Sequence, residues 1–142
     1  MAFPDRIERT VDISRPPADV WSALTTADGL AAWFGQEAKI DLRPGGAASM
    51  GWDGGHHTEM RVERVEEPAV FGFTWSNQGL GVDDPRRTYV EFTLVAAGAG
   101  TRLTVVETGF AQLPDDVRRT EYDEHTKGWA AELGELVDYL AA

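Results

Sequence analysis

From Thr120 to Leu140 the chain reads TEYDEHTKGWAAELGELVDYL. Trp129, Leu133, Leu136, Val137 and Leu140 recur at helical spacing, so they lie as one apolar stripe on an α-helix. Followed backwards, the stripe meets Tyr122 and Thr126, with His125 at its edge. A face that ends as core thus begins as hydroxyls and an imidazole. Either the helix emerges into solvent there, or it roofs something other than core.

The upstream chain supplies the surface that the stripe needs. RIERTVDI alternates, with Ile7, Arg9, Val11 and Ile13 on one side of a strand. Ser14 and the prolines of SRPPADVWSAL then end that strand and open a helix. TTADGLAAWF reads as a second short helix, capped by Thr26 and ending before Gly35. From there the period changes to two. EAKIDL, AASMGW, TEMRVERV, VFGFTW, TYVEFTLVA and TRLTVVET read as strands, divided by the turns RPGG, EEP and AGAG and by the loops DGGHH and SNQGLGVDDPRR. Asp115 or Asp116 is expected to cap the last helix, from about Asp115 to Leu140. Strands and helices are segregated, which predicts an α+β fold with an antiparallel sheet. The economical way to cover one helical stripe and one sheet face is a curved sheet wrapped around the long helix.

At 142 residues one domain spanning 1–142 is expected, with a core that needs no covalent staple. The chain contains no cysteine, which removes disulfides and thiolate chemistry. MAFPDRIERT has no apolar signal region and no run suits a bilayer, so a cytoplasmic protein is expected. Twenty-four acidic residues against 13 basic ones leave a net charge of −11. Such a surface repels phosphate backbones and anionic lipid heads, so neither nucleic acid nor membrane is expected as a partner.

Several motifs, in this order, resemble one superfamily. They are ISRPPADVWSALTTADGLAAWFG after the first strand, DLRPGG, VERVEEPAVFGFTW, and TRLTVVETGF before HTKGWAAELGELVDYL. The set is similar to the SRPBCC superfamily, also called START-like or helix-grip. Within it, the chain most resembles the family named after activators of the ninety-kilodalton heat-shock protein's ATPase. The resemblance implies a seven-stranded antiparallel sheet gripping the C-terminal helix, two short helices after the first strand, and a cavity between sheet and long helix. It implies little chemistry, because that scaffold hosts carriers, cyclases, hydrolases, hormone receptors and co-chaperone domains.

Function must then come from side chains. Glu107 is in phase with Leu103 and Val105, so it is expected to point inward. Arg9 either turns inward, where it needs a carboxylate partner, or snorkels out past the strand. His57 and Glu59 share a strand face that His56 opposes; with no cysteine and one further histidine, His125, no metal is expected. No serine lies in a nucleophile elbow, and neither RPGG nor GWDGG is a phosphate loop. A desolvated Glu107 or His125 could act as a general base, but no residue is assigned a catalytic role. The aromatics Trp33, Phe34, Trp52, Phe71, Phe73, Trp75, Phe92 and Trp129 exceed what a dense core of this size needs, so three or four of them are expected to line a pocket.

The leading expectation is a binding protein for a hydrophobic or aromatic small molecule, with no cofactor. Trp33, Phe34, Trp75 and Trp129 enclose the ligand while Glu107, Tyr122 and Thr126 orient it. A cyclase- or hydrolase-like enzyme using the same pocket is the second reading. A chaperone-interaction module is the third, ranked lower because so short a chain lacks the extra domain through which co-chaperones chiefly engage their partner. A homodimer stays open.

Overall fold

The computed structural model describes residues 5–52, 57–77 and 84–141. The chain runs β1 (Arg6–Ile13), α1 (Pro17–Thr25), α2 (Ala27–Trp33), β2 (Glu37–Ile40), β3 (Ala47–Gly51), β4 (His57–Glu66), β5 (Val70–Trp75), β6 (Thr88–Ala97), β7 (Gly100–Thr108) and α3 (Asp115–Ala141). The seven strands form one sheet in the order β1-β7-β6-β5-β4-β3-β2. Every neighbouring pair is antiparallel. The α+β architecture expected from the period change is therefore present.

Local chemistry explains the boundaries. Pro17 opens α1, where a missing N–H costs nothing. Thr26 caps α2 by accepting a bond from the Gly29 N–H at 3.0 Å. The Trp33 indole donates back to the Ala23 carbonyl at 2.7 Å, locking α2 onto α1. Gly109 ends β7 with φ of +103°, a left-handed turn that suits glycine, and the chain leaves the sheet for α3. A register shift in β4 between Val62 and Arg64 is a bulge, the device that bends a strand and curves a sheet.

The start of α3 corrects one expectation. Asp115 and Asp116 lie inside its first turn rather than capping it from outside. The Val117 and Arg118 N–H groups donate to the Pro114 carbonyl instead. The two carboxylates still sit where the helix dipole favours them.

Trp129, Leu133, Leu136 and Leu140 are buried, in one cluster with Phe71, Phe73 and Phe92 of the sheet and Trp21, Leu24 and Leu30 of the short helices. Arg9 departs from the phase of its strand. Ile7 and Ile13 are buried, but Arg9 is exposed and donates to the Glu8 carbonyl. β1 is an edge strand, so a long side chain there reaches water, whereas an unpaired buried guanidinium would be costly.

Candidate functional site

The site begins with one buried carboxylate. Glu107 lies near the end of β7, opposite Val90 of β6, and is fully buried. Its inward phase follows from the alternation with Leu103 and Val105. Two indoles and a hydroxyl converge on it. The Trp75 Nε1–H donates to Oε2 at 2.9 Å, the Thr88 hydroxyl to Oε2 at 2.6 Å, and the Trp129 Nε1–H to Oε1 at 2.8 Å. His125 Nδ1 lies 2.8 Å from Oε2 and 2.9 Å from Oε1. An ionised carboxylate only accepts and an indole only donates, so the carboxylate satisfies both tryptophans at once and fixes Nδ1 as the protonated ring nitrogen.

The electrostatics follow from this cage. Burial alone pushes the Glu107 carboxyl up. The hydrogen bond and charge of His125, with the bonds from Thr88 and Trp129, outweigh it and hold the group below its ordinary value. Burial likewise pushes His125 down, but Glu107 beside it, with Glu121 and Glu124, raises it overall. Glu121 is itself buried, and its Oε1 lies 3.8 Å from His125 Nε2. Both shifts favour the charged forms, a carboxylate beside an imidazolium.

This pair makes stability depend on pH in a definite direction. Glu107's contribution is present above its ordinary value of 4.5 and is lost as pH falls through its lowered native value. His125's contribution is complete below its ordinary value of 6.5 and is lost as pH rises through its raised native value. The pair thus contributes most between those two ordinary values. Urea midpoints measured across pH should decline on the alkaline side, and His125→Gln should flatten that decline. A wild-type midpoint that rises steadily above neutral pH would contradict the assignment.

Above the pair lies a cavity of about 440 Å³ between α3 and the sheet, lined by Phe34, Trp52, Trp75, Glu124, His125, Gly128, Trp129 and Glu132. Four aromatic side chains wall it. Phe34, at the end of α2, has its ring centre 5.7 Å from Trp52, 5.9 Å from Trp75 and 5.6 Å from Trp129. Trp52 donates its indole N–H to the Phe34 carbonyl at 2.7 Å, which ties the chain after β3 to the end of α2.

The residues singled out in the sequence divide into three groups. Phe34, Trp75 and Trp129 line the cavity. Trp33 and Glu107 stand behind its walls: Trp33 stacks on Phe34 at 4.8 Å, and Glu107 is occupied by protein donors. Tyr122 and Thr126 do not line it. The Tyr122 hydroxyl donates to the Arg6 carbonyl of β1 at 3.1 Å, its ring meets Phe110, and the Thr126 hydroxyl donates to the Tyr122 carbonyl. Tyr122 and Thr126 lie on the flank of the α3 stripe facing β1, and the cavity opens on the other flank. Tyr122→Phe should accordingly lower stability by about 0.5–1.5 kcal/mol, one hydrogen bond's worth, as read from the urea midpoint. A variant as stable as the wild type would show that the bond to β1 contributes nothing.

Trp52 was among the aromatics from which three or four lining residues were expected, and His125 was named only as a candidate base; Glu124, Gly128 and Glu132 were not singled out. His125, Gly128, Trp129 and Glu132 recur at i, i+3, i+4 and i+7, a second legible face of the same helix. On β4, the His57 imidazole pairs with Glu59 at 2.6 Å on the solvent side, and His56 lies outside the described residues. Among the described residues, no group of three imidazole or carboxylate side chains is placed to hold a metal ion. None of the described helices is long and apolar enough to cross a membrane.

The geometry has known relatives. The family model described as Activator of Hsp90 ATPase homolog 1-like protein matches residues 14–141. Among solved structures, the chain is similar to protein MLL2253 from Mesorhizobium loti, at 27% identity and a TM-score of 0.81, covering 96% of each chain. It is similar at 25% identity and a TM-score of 0.81 to DynU16, a putative protein in the dynemicin biosynthetic locus, covering 99% of this chain and 48% of that one. It shares its fold with the Aha1 dimer from Colwellia psychrerythraea, at 20% identity and a TM-score of 0.78, covering 95% of each chain. No curated protein matches the chain in sequence.

Proposed function

The chain belongs to the Activator of Hsp90 ATPase homolog 1-like family, and from that premise we propose that it binds a hydrophobic or aromatic small molecule between its sheet and α3. The observation that carries this reading is the cavity of about 440 Å³ walled by Phe34, Trp52, Trp75 and Trp129. Apolar walls with a few polar groups are the usual make-up of a ligand site, and this volume falls in the usual range. The similarity to a protein from a biosynthetic locus supports a small-molecule partner.

The Glu107–His125 pair favours binding over base catalysis. Glu107 is held ionised by four donor groups and is sealed from the cavity. Glu107 raises the His125 pKa and so favours the imidazolium, which has no lone pair with which to abstract a proton. The pair acts as a rigid floor that fixes two of the cavity's aromatic walls through their indole N–H groups.

Gly128 provides the test. It lines the cavity, and a Cβ added there meets no atom within 4 Å. Gly128→Leu should fill the cavity and leave the helix intact, strengthened by about 0.5–1 kcal/mol of helix propensity. The neutral fluorophore N-phenyl-1-naphthylamine should bind the wild type and lose at least about tenfold in affinity for the variant. Native mass spectrometry of the purified protein should show an added mass that the variant lacks. Equal binding by both proteins would place the ligand elsewhere.

The family's name supports a second reading, contact with a chaperone. Among the described residues the exposed large apolar side chains are Val95 and Tyr139, isolated on β6 and α3, which is a poor basis for an apolar docking patch. Dimerisation, named for the Colwellia relative, is a proposal for this chain that light scattering can decide.

A further inference from the structure

We infer that the cavity selects a cation: an aromatic or apolar molecule carrying a quaternary or protonated amine, with Glu132 as its counter-ion and the indole faces as its cage. The inference rests on the small-molecule reading above and narrows the class of ligand.

Glu132 lies one turn beyond Trp129 on the wall of the cavity. Its Oε2 is shielded from solvent and has no hydrogen-bond partner. A carboxylate in that position is incompletely solvated and, among the described residues, paired with no lysine or arginine, so a ligand cation would relieve both deficits. Among the described residues, no lysine or arginine lines the cavity. The imidazolium of His125 does not offset Glu132, because Glu107 at 2.8 Å and Glu121 at 3.8 Å already face it. Glu124 adds a further negative charge to the lining.

The walls suit the same ligand. Phe34, Trp52, Trp75 and Trp129 line the space, and tryptophan is the strongest cation–π partner among the side chains. A net charge of −11 gives the whole protein a field that draws cations and repels anions.

Cation binding should also displace a proton. Burial, with Glu135 nearby, pushes the Glu132 carboxyl up to about 7. Across the cavity from α2 and from the ends of β3 and β5, Glu132 is faced by Phe34, Trp52 and Trp75, none of which titrates in this range. Among the described residues, the other charged groups are Glu124, His125 and Glu135 on its own helix and Glu107 in the floor. A permanent cation should therefore bind about tenfold more tightly at pH 8 than at pH 6, as the carboxylate fraction rises.

The test compares 2-naphthylmethyltrimethylammonium, 2-naphthylmethanol and 2-naphthoate, one ring system with three charges, by calorimetric titration of the intact protein. The ammonium should bind about tenfold more tightly than the alcohol at pH 8, and the carboxylate most weakly. Its affinity should fall toward pH 6, with proton release visible as a dependence of heat on buffer ionisation enthalpy. Glu132→Gln should bring the ratio of ammonium to alcohol close to one. If the alcohol binds as tightly as the ammonium, or Glu132→Gln preserves the ratio, the choice of a cation is wrong and the cavity remains a neutral-ligand site. If none of the three binds at millimolar concentration while N-phenyl-1-naphthylamine does, the cation inference alone fails. If that neutral fluorophore also fails to bind, the small-molecule reading falls with it.

Discussion

Glu107→Gln should lower the unfolding free energy by about 3–5 kcal/mol at neutral pH, although the side chain keeps its size. The native carboxylate accepts from Trp75, Thr88, His125 and Trp129 together. An amide has one accepting oxygen, and its NH₂ would confront donors where the second oxygen now accepts. The substitution also leaves the imidazolium without the charge that keeps it protonated inside the protein. Against the roughly 5–15 kcal/mol that holds a typical domain, this loss is enough to populate the unfolded chain. Two measurements check it: the urea midpoint, and the His125 pKa followed by NMR. The His125 pKa, raised in the wild type, should drop in Glu107→Gln as burial loses its main opponent, with Glu121 and Glu124 left to oppose it. A His125 titration that does not respond to the substitution would refute the ion pair.

Trp129→Ala should cost about 3–5 kcal/mol through lost burial and the space left behind. Trp129 is 2% exposed, and its ring centre lies 5.6 Å from Trp75 and 5.7 Å from Phe92. It is the point where α3 meets both the sheet and the floor of the cavity. Trp129→Phe separates two effects. Phenylalanine keeps most of the packing but withdraws the N–H that Glu107 accepts at 2.8 Å, so a smaller loss of about 1.5–3 kcal/mol is expected, that of a hydrogen bond to a charged group. Chemical denaturation of the three proteins gives the comparison. A midpoint unmoved in Trp129→Ala would mean that the sheet does not hold the helix.

Much of the fold was legible because each element carries its own period. RIERTVDI and VFGFTW, read as strands, coincide with β1 and β5, and TRLTVVET falls within β7. Thr26 was legible as a cap because its hydroxyl acts within four residues of its own position. Arg9 was not legible in the same way. Alternation alone puts it with Ile7 and Ile13, and only the place of β1 at the edge of the sheet lets it reach water. The start of α3 also depended on context, with Pro114 supplying the carbonyl to which Val117 and Arg118 donate.

The candidate site was legible by half. The sequence by itself determined that Glu107 points inward and that Trp129 anchors a helical stripe, since both follow from periodicity along one element. It also supplied the aromatic excess from which Phe34, Trp52, Trp75 and Trp129 form the walls. Only the tertiary structure decided which flank of the stripe opens onto the cavity. On a helix of 3.6 residues per turn, Thr126 lies about 60° to one side of Trp129, and His125 and Glu132 lie about 40° and 60° to the other. Nothing within the helix distinguishes these flanks. The sheet does, because β1 takes the Tyr122 side through the Arg6 carbonyl, while the ends of β3 and β5 stand off from the His125 side and leave the space lined by Trp52 and Trp75. Tyr122 and Thr126 therefore became structural contacts. His125 was drawn to Glu107, 18 residues away in sequence, because a buried carboxylate and a buried imidazole each lower the cost of the other's charge.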